Sequence, residues 1–112
     1  MVIEELAEVI IKGLTQKAQL INSNKSVSVE AQTVLDRNSH RYSLFHVGWI
    51  KEHRVFGCVI YLEIKKDKVW LHWDGTEDGF ITYLEENDVP ASQIVQGWLP
   101  PEMRKHTPYA VN

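Results

Sequence analysis

Five histidines (His40, His46, His53, His72, His106), one cysteine (Cys58) and the tripeptide Glu63-Ile64-Lys65 are the residues of this chain whose types could do chemistry. A metal site needs several such groups convergent at short range. The histidines show neither HxxxH nor HExxH spacing, and Cys58 has no CxxC partner. His46 and His72 fall on predicted strands and could meet across a sheet, where histidines are usually satisfied or solvent-facing. Glu63 and Lys65 have the ExK form with which nucleases hold Mg²⁺ and polarise water. The obvious companion carboxylate, Asp74, follows the tripeptide, whereas that pattern places it before. Cys58 alternates with Phe56, Ile60 and Leu62, so it reads as a buried structural thiol instead of a nucleophile. Gly75 and Gly79 flank Thr76-Glu77-Asp78, whose acids would repel a phosphate. These residues predict no enzyme, no cofactor and no metal.

The aromatic content is more informative. Trp49, Trp70, Trp73 and Trp98 are four tryptophans in a small chain. Trp70 and Trp73 alternate to opposite faces of one strand, so at least one of them packs under the tail or at a protein interface.

The elements that position these residues follow from periodicity. Ile3, Leu6, Ile10, Leu14 and Ile21 recur at helical spacing, and Asn22-Ser23-Asn24 ends the helix. Val27, Val29, Ala31, Thr33 and Leu35 alternate with polar residues as a first strand. Tyr42–Ile50, Val55–Ile64 and Val69–Trp73 read as three more, joined by charged connections too short for a parallel crossover. After this four-stranded antiparallel meander, Thr76 is the expected N-cap of a second helix, with Glu77 and Asp78 in its first turn and Pro90 as its stop. Ser92 starts a further turn, and the proline-rich tail from Gly97 reads as extended. The prediction is a single α+β domain over residues 1–112, with helices and tail packed on the sheet.

At 112 residues with 44% hydrophobic and 24% charged content, the chain has room for one core. The lone cysteine and the acidic start MVIEEL suit a cytoplasmic protein. Net charge is −3, and the charges are segregated. From Val69 to Met103 there are seven acids and no Lys or Arg; from Arg37 to Lys68 there are seven bases against three acids. Such a division can steer a partner by complementary potential.

Four stretches carry a resemblance: Gly48-Trp49, RVFGC at 54–58, KVWLHWDGTEDG at 68–79 and PPEMRKHTPYAV at 100–111. In combination they resemble the XisI family, the excision controlling factors of the fdxN element. Tyr61, Leu62 and Glu63 stand where the family commonly has His, Ile and Asp, and Trp98 replaces a frequent Phe. The resemblance implies an XisI-like fold and a cytoplasmic cyanobacterial protein that acts with XisH in controlling excision of a DNA element during heterocyst differentiation. The DNA recombination itself belongs to a separate recombinase. XisH proteins resemble nucleases, so an XisI-like chain is expected to bind or restrain one.

The leading expectation is therefore a non-enzymatic protein–protein interaction module with an XisH-like partner, open also to a homodimer. Its candidate interface is Asp74, Thr76 and Glu77 at the helix start, with Trp98, Pro101, Arg104 and Thr107 of the tail. A rival for Arg104 is an ion pair with Asp74 or Glu77 inside one monomer. The alternative function is a direct DNA-binding accessory factor using Arg41, Lys51, Arg54, Lys65, Lys66 and Lys68; a nuclease built on Glu63 and Lys65 ranks below it.

Overall fold

The computed structural model describes residues 1–26 and 28–112, so Val27, placed by alternation at the head of the first strand, lies outside the described residues. Helix α1 (Ile3–Asn22) leads into β1 (Val29–Asp36), β2 (Arg41–Ile50), β3 (His53–Lys65) and β4 (Lys68–Asp74). Helix α2 (Phe80–Glu86), a 3-10 turn (Ala91–Gln93), β5 (Ile94–Gln96) and a short α3 (Pro101–Arg104) complete the chain. Among the described residues no helix is long and apolar enough to cross a membrane.

The apolar stripe of α1 buries Leu6, Ala7, Ile10, Leu14 and Ala18. They meet Ala31, Tyr42, Leu44, Ile60, Leu62, Ile64, Val69, Leu71 and Ile94 from the facing side of the sheet. Asn22 fastens the end of the helix to β1 by exchanging hydrogen bonds with the backbone of Ala31 at 2.7 and 2.9 Å. Helix α2 joins the same layer through Phe80 and Leu84, and the Tyr83 hydroxyl donates to the Val9 carbonyl at 2.7 Å.

The sheet runs β1-β2-β3-β4-β5, with the first four strands antiparallel as the short connections require. Among the described residues the expected count of four is corrected to five. Ile94-Val95, too short to show a period, pairs in parallel with Val69-Trp70 once α2 has carried the chain back across the sheet. Two further expectations are corrected. Helix α2 starts three residues later than a Thr76 N-cap predicts, because Gly79, with φ of 76°, immediately precedes Phe80. Glu77 and Asp78 therefore lie ahead of the helix. The tail is not wholly extended either: Pro101, whose φ is already helical and whose missing N–H costs nothing at the first position, opens α3.

A one-residue bulge changes the reading of β3. Leu44 pairs with Ile60 but Phe45 pairs with Cys58, leaving Val59 extra. Ile60 and Leu62 stay in the core, while Phe56 and Cys58 turn to the side of the sheet away from α1. Phe56 is exposed and stacks on Phe45 with centroids 5.9 Å apart. Cys58 is half-buried rather than core; its thiol donates to the Ile60 carbonyl, and burial pushes its pKa up. A second bulge in β4, at His72, lets Tyr61 pair with Trp73.

Candidate protein-binding site

Asp74, the last residue of β4, organises the loop that follows it. One carboxylate oxygen accepts from the Thr76 backbone N–H at 2.9 Å and from the Thr76 hydroxyl; the other accepts from the Phe80 N–H at 2.6 Å. The orphan amide at the start of α2 is thus satisfied by Asp74, six residues upstream, and not by Thr76. Glu77 stays exposed on this loop.

The loop forms one wall of a cleft of about 390 Å³ lined by Trp73, Asp74, Gly79, Ile81, Gln96 and Trp98. Trp73 and Trp98 remain 56% and 44% exposed, unusual for the largest apolar side chains in a small domain. The Gln96 Oε1 atom is buried with no hydrogen-bond partner among the described residues. An apolar cleft between two tryptophans, with an unsatisfied acceptor in its lining, suits a side chain or extended segment that brings its own donor.

Of the predicted interface, the structure brings Asp74 and Trp98 together at this cleft. It gives Arg104 and Thr107 internal work in the tail. The Arg104 Nε donates to the Leu99 carbonyl at 3.1 Å, its Nη1 to the Val111 carbonyl at 3.4 Å, and its guanidinium covers the Trp70 ring. Thr107 donates to the Arg104 carbonyl at 2.8 Å. The expected pairing of Arg104 with Asp74 or Glu77 does not occur. Pro101 is exposed at the start of α3. Alternation would put Trp70 and Trp73 on opposite faces, but the extra residue His72 brings both to the side of the sheet away from α1, Trp70 buried under Arg104 and Trp73 open at the cleft.

Sequence reasoning left Ile81 and Gln96 out of the site. Gln96 sits on β5, whose three residues show no period, and Ile81 reads only as part of the apolar stripe of α2. Trp73 was legible as a surplus tryptophan but not as a cleft wall.

The basic residues do not form one face. Lys51 and Arg54 sit at the β2–β3 end of the sheet, while Lys65, Lys66 and Lys68 surround the β3–β4 turn. Arg54 and Lys65 are separated along β3 by roughly 36 Å at the usual strand rise. Arg41 faces Glu63 at 3.8 Å, and Lys65 lies over Trp70 at 4.0 Å from its centroid. Glu63 is also bonded to His72 at 3.0 Å, and His72 stacks on both Tyr61 and Trp70. The ExK carboxylate is thus tied into an aromatic and ionic network on the sheet.

The XisI protein family model matches residues 2–111. An XisI-like protein from Anabaena variabilis ATCC 29413 is 33% identical in its crystal structure, with 96% of each chain covered and a TM-score of 0.86. The fdxN element excision controlling factor XisI of the same organism has the same fold at 23% identity, with 97% of each chain covered and a TM-score of 0.81. No curated protein matches the chain.

Proposed function

The chain belongs to the XisI family, and we propose that it works as a non-enzymatic accessory subunit that docks a protein partner of XisH type in controlling excision of a DNA element. The observation that carries this reading is the cleft between Trp73 and Trp98. Both rings are half-exposed, and tryptophan is a frequent anchor of protein interfaces. The acids near it, Glu77 and Asp78, are exposed and give the rim a negative potential suited to a basic partner surface. The process is drawn from the relative that is an fdxN element excision controlling factor. The division of the bases between two ends of the sheet favours a protein over a phosphate backbone as the direct contact.

The test is co-expression with the neighbouring XisH-like protein, followed by mass determination of the eluting species. A stable complex is expected, lost on Trp98→Ala or Trp73→Ala while the melting temperature of the isolated variant holds. Clean separation of the two wild-type proteins at high concentration removes the reading.

A further inference from the structure

The side of the sheet away from α1 is open over β1, β2 and β3. Register places Phe45, Val47 and Trp49 of β2 and Phe56 of β3 on that side, flanked along β1 by Glu30, Gln32 and Val34, of which Gln32 donates to the Glu30 carboxylate at 2.8 Å. Val34, Trp49 and Phe56 are 55%, 51% and 67% exposed. A water-facing sheet surface is normally polar at alternate positions, so a contiguous aliphatic and aromatic stripe here marks a contact surface. At the other end of the sheet Arg104 already covers Trp70, which confines the open stripe to the β2–β3 hairpin half.

We infer that this stripe is the interface of a homodimer, two copies packing sheet to sheet about a two-fold axis parallel to the strands. Charge supports a second copy as the occupant. Glu30 lies on one flank of the stripe, on β1, and Arg54 on the other, on β3, where it leans on the Trp49 ring at 5.2 Å. A two-fold axis along β2 lays β1 of one copy over β3 of the other. Glu30, level with Phe56 in the register, then lies two residues, about 7 Å, along the strand from the other copy's Arg54. The long arginine side chain spans that step, and the pair forms twice. Area is sufficient but not generous. Three strands by about seven residues give a footprint of roughly 14 by 23 Å. With side chains standing from it, the pair buries on the order of 1,000 Å² in total, the lower bound for a specific assembly. The dimer is therefore weak, with a Kd of about 10–100 µM.

Sedimentation velocity on the full chain across that concentration range tests the assignment. Wild type is expected to pass from monomer to dimer. Phe56→Asp abolishes the dimer, and Ile50→Asp, exposed but on the α1 side, leaves it intact. Glu30→Arg and Arg54→Glu each weaken self-association about tenfold or more, because each places like charges together twice. Mixing the two single variants restores a dimer, since both pairs in the mixed species are again complementary. A wild type that stays monomeric at about 500 µM, far above the expected Kd, overturns the inference. So does a dimer indifferent to Phe56→Asp, or single charge variants that do not recover on mixing.

Discussion

Arg104 lays its guanidinium over Trp70, with its central carbon 5.2 Å from the ring centroid, and in the same pose it donates to the carbonyls of Leu99 and Val111. One side chain thus fixes the tail to itself and to the sheet. Arg104→Ala is expected to cost about 1–3 kcal/mol from the lost cation–π contact and hydrogen bonds. A thermal melt should show a fall of about 4 °C for each kcal/mol. Arg104→Lys recovers only part, because an ammonium cannot reproduce the planar fork. An unchanged melt would mean that the tail is held elsewhere.

Gly13 lies where α1 and α2 touch. A Cβ there would run into the Tyr83 ring and come within 2.9 Å of Phe80 Cζ. Tyr83 cannot swing aside without giving up its bond to Val9, and Phe80 is buried. The better helix propensity of alanine returns about 1 kcal/mol, against overpacking of about 1–3 kcal/mol. Gly13→Ala is therefore expected to destabilise by about 1 kcal/mol in urea titration. A stabilised variant would show that α2 yields easily.

Asp36 holds the β1–β2 turn by accepting from the Ser39 hydroxyl and from the backbone N–H groups of Ser39 and Asn38. These bonds, the Ser39 side chain first, lower its pKa below the ordinary 3.8. A carboxylate more acidic in the folded state adds stability above its unfolded pKa, and that contribution fades as pH falls through the folded value. Asp36→Ala should melt below wild type at neutral pH, with the gap narrowing below about pH 4. A constant gap from neutral to acid pH would assign the effect to something other than the ionised carboxylate.

The β3–β4 connection is a two-residue turn in which Lys66 and Asp67 have φ of 55° and 61°. Left-handed backbone costs an ordinary residue about 1 kcal/mol or more, while Asn-Gly favours it. Lys66→Asn with Asp67→Gly is expected to raise the melting temperature. The Asp67 carbonyl that accepts from Gln93 is retained by glycine. A lower melting temperature would reveal a role for one of the replaced side chains.

Helix α1 and the four-strand meander were legible because Leu6, Ile10 and Leu14 keep a helical period and Ala31 and Thr33 a strand period over many residues. What escaped the reading was short. The three residues of β5 and the four of α3 offer no period to detect, and Val59 bears no mark distinguishing an extra residue from a regular one. The N-cap was misplaced because the group that satisfies Phe80 comes from six residues upstream, outside any local capping pattern. The candidate site was half legible for the same reason: Trp98 and Asp74 stand out by type, but Gln96 joins them only through β5.

The extra residue at Val59 makes the hairpin behave like a reading frame. Substituting any one residue of β3 alters a single spot, but drawing Val59 into a regular ladder would exchange the inward and outward sets of everything from His53 to Cys58 at once. His53, Val55 and Gly57 would then face the open side, and Arg54, Phe56 and Cys58 the α1 side. Among relatives of this protein, a gap of one residue at this position would therefore leave the same exterior, because the shorter strand alternates regularly onto the same faces.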